Sequence, residues 1–558
     1  MRPLTCLLAI LPALASATVR YTLSPDVASG TLRVSVTVEH AHPTETFQIP
    51  GWSPGYYSMA KYETKISGFV AADESGNPLP VKHAEPRTWS VTSNGRPALT
   101  VKYRVLADDP GLGFFGASIK SNSAFTNGPA SFMYVLGRRN EDTRLRVTVP
   151  SGWQVATGMD KQANGDYTTH DYDEMADDPV QMGEFVDKPF NVNGVPFDAV
   201  FVCPPGEKLR MEADAQARVL KAISKPAMDL FGGASFHRYY YIFHLAPGGF
   251  QGGLEHRSGT VIAVPNFSQQ DISDLAAHEF FHAWNVKQIR PVLLGPFDYT
   301  EPQKTGNLWF AEGVTDYYAK VLTYRSGVHD QTWLLEELSD QINTLQGCAD
   351  RLNRSVEDAS RAAWDNGGFS AADGLDYYNK GLVAGLIFDA AIRNATEGKK
   401  SLDDVMRLMY GRYKIPNPGY DEDGILKAIN EVAGKDLSGL YTRVVRSTEE
   451  VPYDVVKELG LKLVKPGEQF ASAEGWPVPT SNSDPADLEK DGFRKGDVFE
   501  GFDPSSETNV ATVRVKRDGQ DVSFSVPTHS QSVPGYMLIV DPHPSAGAAQ
   551  QYVQWTRR

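Results

Sequence analysis

Hydrophobic and polar residues alternate through the first third of the chain. In runs such as TLRVSVTVEH (Thr31–His40) and ALTVKYRVLA (Ala98–Ala107) most second positions are apolar, the period that turns one face of a β-strand towards a core. Clusters of Gly, Pro, Asn and Asp separate these runs, and the pattern predicts an N-terminal β-sandwich over residues 18–205. From about Ala213 to Tyr324, strand-like stretches (RYYYIFHLA, TVIAVPNF) mix with segments of helical period, and from there to about Arg446 the helical period dominates. The last hundred residues return to short strands and turns, as in GDVFEGF and ATVRVKRDGQDVSFSV. The expected architecture is a multidomain α+β chain: a β-domain at 18–205, an α+β core at 206–325, a helical lobe at 326–452 and a small β-rich domain at 453–545.

Composition narrows the setting. The 558 residues carry a formal net charge of -15 and no Lys/Arg-rich run, so there is no basic stripe to neutralise phosphates and nucleic acid is excluded as a partner. Residues 1–17, MRPLTCLLAILPALASA, combine an early Arg2, an apolar run and a small-residue ending, the pattern of a cleavable secretory signal. No other stretch approaches a membrane span of about 20 apolar residues, so the expectation is an exported protein, periplasmic or secreted, with no stable membrane insertion. Cys203 and Cys348 remain after signal removal, and the sequence does not say whether they meet.

The helical stretch DLAAHEFFHAWNV, Asp274–Val286, holds the chemistry. His278, Glu279 and His282 form H-E-x-x-H, and on a helix residues four apart share a face, so both imidazoles can grip one ion with Glu279 beside it. Downstream, NLWFAEGVTDYYAKVLTY reads as a second helix. Its Glu312 could supply a third ligand and leave an open position, as catalytic zinc requires. Asp316, one turn later, is placed to accept a hydrogen bond from the far nitrogen of a ligating histidine. A zinc ion there would lower the pKa of a bound water to about 7, with Glu279 as general base and proton donor to a leaving amine: a peptide-hydrolysis site. The developing oxyanion needs a second donor; Tyr378 in DYYNKGLVAGLIF is a candidate and Tyr377 the runner-up.

PGWSPGYYSMAKY, GGLEHRSG, HEFFHAWNVKQIRP, WFAEGVTDYY, YYNKG and TEEVPYDVVKELGLKL occur in this order along nearly the whole mature chain. In this it resembles the glycyl-aminopeptidase family of gluzincin metallopeptidases, family sixty-one. The resemblance implies one zinc per chain, a thermolysin-like catalytic domain with a helical lobe, and a C-terminal PDZ domain able to bind peptide tails. It further implies His278, His282 and Glu312 as ligands, Glu279 as base and Tyr378 as oxyanion donor. GGLEH, Gly252–His256, is similar to the G-x-M-E-N segment whose glutamate holds a substrate's free α-ammonium group, so Gly252, Gly253 and Glu255 become substrate-binding candidates. Leu254 and His256 depart from that pattern.

Three functions follow for comparison. The leading expectation is an exported zinc aminopeptidase acting on peptides with a free N-terminus, with the preference for N-terminal Gly or Ala taken from the resemblance. The second is a zinc endopeptidase whose PDZ domain presents substrate tails. The third, a non-catalytic peptide-binding scaffold, has no need of an intact set of ligands and base. Since no candidate ligand or base lies beyond Tyr378, a chain ending near Val451 is expected to retain activity on short arylamides.

Overall fold

The computed structural model describes residues 19–109, 115–245, 251–372, 374–466, 469–473, 494, 498–504, 510–532 and 535–557. The expected signal segment, residues 1–17, and residues 487–493 and 495–497 of the expected C-terminal PDZ domain lie outside these residues. Two compact units result: Met1–Ser53 with Ala60–Phe185, and Pro54–Met59 with Val186–Arg558.

The first unit is β-rich, with one seven-stranded and two four-stranded sheets among the described residues. The alternation noted in the sequence becomes a buried face: Leu32, Val34, Val36 and Val38 are all buried, and Thr31–Glu39 pairs antiparallel with Ala98–Leu106 so that Val36 faces Val101. Buried phenols there find backbone acceptors, Tyr21 donating to the Met133 carbonyl at 2.9 Å and Tyr103 to that of Ser131 at 2.8 Å.

A five-stranded mixed sheet organises the second unit, in the order Val186–Val192, Val195–Val202, Tyr239–Leu245, Gly259–Val264 and Gly252–His256. The unit boundary therefore falls at Phe185, earlier than the expected 205. Asn193 and Gly194 (φ 51° and 88°) close a tight hairpin whose second strand pairs parallel with Tyr239–Leu245, and strand period alone does not reveal which sheet a hairpin joins. Gly259–Val264 is buried at every position, as a central strand covered on both faces must be. Gly252–His256 is the antiparallel edge strand beside it. The helical part includes Val314–Arg325, Gln331–Gly347, Tyr377–Ala395, Leu402–Tyr413 and Gly424–Ala433. No helix among the described residues is long and apolar enough to cross a membrane, and Cys203 and Cys348 are not disulfide-linked.

Towards the C-terminus, Leu461–Val464 pairs antiparallel with Met537–Val540, and Gln469–Ala473, Val498–Pro504, Val510–Arg517 and Gln520–Ser532 form a separate four-stranded sheet. The chain does not end there. The Leu538 amide donates to Ser339 Oγ at 2.9 Å, tying the strand to helix Gln331–Gly347. A final helix, Ala546–Trp555, then buries Trp555, whose indole N–H donates to the Tyr317 hydroxyl at 3.0 Å; that hydroxyl in turn donates to Asp389 at 2.8 Å. The expectation for a chain ending near Val451 changes accordingly, because such a truncation empties a socket against the helix that follows Glu312. Trp555→Ala should cost about 3–5 kcal/mol, the range for truncating a buried aromatic, and lower the urea unfolding midpoint. An unchanged midpoint would show the C-terminal helix to be dispensable.

Candidate metal centre and active site

The helix carrying H-E-x-x-H runs only from Ser273 to Phe281, short of the expected Val286, with His282 as its C-cap. Beyond it the chain tightens: Ala283 and Trp284 N–H groups bond back to the carbonyls of Phe280 and Phe281, and Val286 is held at φ 90°. This early stop swings the Asn285 carbonyl onto His282 Nδ1 at 2.8 Å. His278 Nδ1 lies 2.7 Å from Asp316 Oδ1 on the following helix. Carbonyl and carboxylate oxygens only accept, so each neutral imidazole keeps its proton on Nδ1 and turns the lone pair of Nε2 inward.

The two Nε2 atoms stand 3.0 Å apart, and Glu312 Oε2 lies 3.6 Å from that of His278 and 3.2 Å from that of His282. All three side chains are buried. Three acceptors converging in a buried site repel one another unless a cation or a proton stands between them. Their separations bracket the edge of about 3.3 Å expected for a tetrahedron with bonds of roughly 2.0–2.1 Å, so the donor set fits zinc. Burial alone pushes His278 down, but Asp316, Glu312 and Glu279 outweigh it and hold it well above its usual value. The same field that draws a proton onto this cluster draws a metal ion, and the two compete. Burial likewise pushes Glu312 up, yet His282 and His278 prevail and hold it well below the usual carboxylate range.

Glu312 sits in a π-helical turn, Trp309–Gly313, leading into helix Val314–Arg325. Such turns recur where a helix must re-aim a functional side chain. A side chain at Gly313 would come 2.4 Å from the Cα of Gly381, and one at Gly381 2.3 Å from the Trp309 carbonyl, so only glycines let this helix and Tyr377–Ala395 meet so closely. Asp376 caps the second helix by accepting from the Tyr378 N–H at 2.9 Å. The cap fixes the first turn, where the Tyr378 ring lies 6.1 Å from that of His278 at 27°. Burial and the charge of Glu312 push the Tyr378 phenol well above its ordinary value, keeping it a donor. Tyr377, the runner-up, spends its hydroxyl on the Gly368 carbonyl at 2.8 Å.

Strand period puts Gly253 and Glu255 on one face of the edge strand. A side chain at Gly253 would lie 2.2 Å from Glu279 Oε1, so the glycine makes room for that carboxylate. Burial pushes Glu279 up to about 7, with the imidazoles pulling against it, which suits a group that must take and return a proton near neutrality. Carboxylate oxygens of Glu255 and Glu279 and a ring nitrogen of His282 all lie within 4.8 Å of one another. Glu255 Oε1 is buried with no hydrogen-bond donor, and Lys287 Nζ stands 3.7 Å from it. Gly252, at the start of the same strand, is half-buried.

Two sequence profiles match this chain: peptidase M61 N-terminal domain over residues 20–184 and M61 glycyl aminopeptidase over residues 271–384. The chain belongs to the M61 peptidase family. It is accordingly a zinc metallopeptidase of the aminopeptidase type. Among solved structures, an aminopeptidase N family protein from Idiomarina loihiensis shares 22% identity at a TM-score of 0.78, covering 97% of this chain and 100% of that one. An M1 zinc metallopeptidase from Deinococcus radiodurans, solved as a variant bound to a Tyr-Ser-Ala substrate, shares 16% identity at a TM-score of 0.50, covering 78% of this chain and 94% of that one. At these identities the likeness is one of fold. No curated protein matches the chain by sequence.

Sequence reasoning passed over Asn285 and Lys287 of this M61 peptidase. Both stand in the H-E-x-x-H motif's own downstream run, but their positions depend on a helix end and a positive φ that periodicity does not signal. The ligand and base assignments make separable predictions. Glu279→Gln should keep the metal while turnover falls at least 100-fold, in line with general-base contributions of about 10²–10⁴. His278→Ala and Glu312→Ala should lose it, and Asp316→Asn should weaken zinc binding by roughly 10–100-fold. Metal analysis of the purified variants decides, and zinc loss from Glu279→Gln would mean the roles are misassigned.

Proposed function

We propose that this M61 peptidase is an exported aminopeptidase that removes small N-terminal residues, glycine or alanine, from peptides. One zinc per chain would be held by His278, His282 and Glu312 and would supply Lewis acidity at the scissile carbonyl and the attacking water. Glu279 takes a proton from that water and delivers it to the leaving amine. Tyr378 donates to the oxyanion as the carbonyl carbon becomes tetrahedral.

The observation that carries the exopeptidase reading is the distance between Glu255 and the metal cluster. The α-nitrogen and carbonyl carbon of one residue are about 2.5 Å apart, from bonds of about 1.46 and 1.52 Å at an angle near 111°. With Glu255 oxygen, Glu279 oxygen and His282 nitrogen within 4.8 Å, an ammonium group on Glu255 leaves room for a single residue before the scissile carbonyl. The buried Glu255 Oε1 also lacks a hydrogen-bond donor, which a substrate ammonium would provide. The four-stranded sheet within 469–532, with the pair Leu461–Val464 and Met537–Val540, we read as a PDZ-like module that receives peptide tails by strand addition. Export rests on residues 1–17.

Glu255→Ala should lower kcat/KM for Gly- and Ala-arylamides by roughly ten- to a hundredfold, the worth of a charge-assisted hydrogen bond of about 1.5–3 kcal/mol, with zinc content unchanged. The ratio of free to N-acetylated substrate turnover should fall towards one. If the unaltered enzyme cleaves acetylated peptides as fast as free ones, the endopeptidase reading replaces this one.

A further inference from the structure

The stretch PGYYSM, Pro54–Met59, interrupts a run of residues that otherwise build the N-terminal unit. The chain on either side, up to Ser53 and from Ala60, belongs to that unit, whereas these six residues belong to the second. Gly55 adopts φ 88°, a left-handed conformation in which a side chain would be strained, and a Cβ there would come within 2.6 Å of both Glu255 carboxylate oxygens. Two residues on, Tyr57 is buried, with its ring edge-on to Trp364 at 6.2 Å and its backbone against Gly368, where a Cβ would lie 3.3 Å from the Tyr57 nitrogen. Its hydroxyl donates to Glu312 Oε1 at 2.9 Å.

That contact bears on the ligand set. A carboxylate ending a flexible side chain can offer either oxygen, or both, with little torsional preference. In Glu312 the two oxygens face different neighbours: Oε2 turns to His278 and His282, at 3.6 and 3.2 Å, and Oε1 takes the Tyr57 hydrogen bond. With Oε1 so engaged, Glu312 presents one oxygen, Oε2, towards the two histidines in a fixed direction.

We propose that Pro54–Met59 is a working part of the active site, in which Tyr57 is a positioning residue that fixes Glu312 for the metal through Oε1. The proposal rests on reading Glu312 as a ligand. Its test is the zinc affinity of the full-length protein, measured by competition with a chromogenic chelator. Tyr57→Phe keeps the ring and its packing and removes only the hydroxyl, so the metal-free protein should unfold within a few degrees of the unaltered one. Its zinc affinity should fall roughly 10–100-fold, the range for losing a partner that orients a metal ligand. Activity should fall at limiting zinc and recover with excess zinc, and KM for a Gly-arylamide should stay near its original value. A merely structural tyrosine would instead lower the metal-free unfolding midpoint and leave zinc affinity untouched. Glu312→Gln separates the two levels of the argument. If Glu312→Gln loses zinc and Tyr57→Phe binds it as tightly as the unaltered protein, the positioning role is overturned and the ligand reading stands. If Glu312→Gln keeps zinc, both fall.

Discussion

Two imidazole nitrogens and a carboxylate oxygen face one another at 3.0–3.6 Å, all on buried side chains. This arrangement of like ends is unfavourable by itself, and the surroundings enforce it. Asp316 and the Asn285 carbonyl each take the outward N–H of a histidine, so neither ring can turn over to relieve the repulsion without stranding a buried donor. The helix end at His282, the π-helical turn at Glu312 and the strained Val286 are the backbone's share in holding the three acceptors together.

Glycines do a second kind of work around the cluster. Gly253 admits the Glu279 carboxylate, and the Gly313–Gly381 contact brings the helix of Glu312 against that of Tyr378. The motifs GGLEH and YYNKG thus carry their information partly in what is missing from the side chains. A methyl group at any of these positions would push apart elements whose spacing the chemistry depends on.

The parts of the site legible in the sequence are those set by helical spacing. His278, Glu279 and His282 on one face follow from a period of 3.6 residues, and Asp316 was readable as lying about one turn past Glu312, although the π-helical turn that aims Glu312 was not. Asn285, Lys287 and Tyr57 were not legible, because each is delivered by a helix end or a loop whose direction depends on tertiary packing. The β-rich first unit was visible in strict alternation, whereas its limit was not: the Val186–Val202 hairpin has the same alternation as the strands before it and differs only in its partner, Tyr239–Leu245. The docked C-terminal helix is amphipathic and short, and nothing in its own ten residues announces that Trp555 reaches Tyr317.

That reach has a temporal side. Trp555 is synthesised after His278, His282 and Glu312, yet it packs against Tyr317, five residues past Glu312 on the same helical segment. A nascent chain emerging in order therefore exposes His278, His282 and Glu312 well before their support is complete. The packing of Trp555 on Tyr317 is therefore completed only after residues 278–312 have been made.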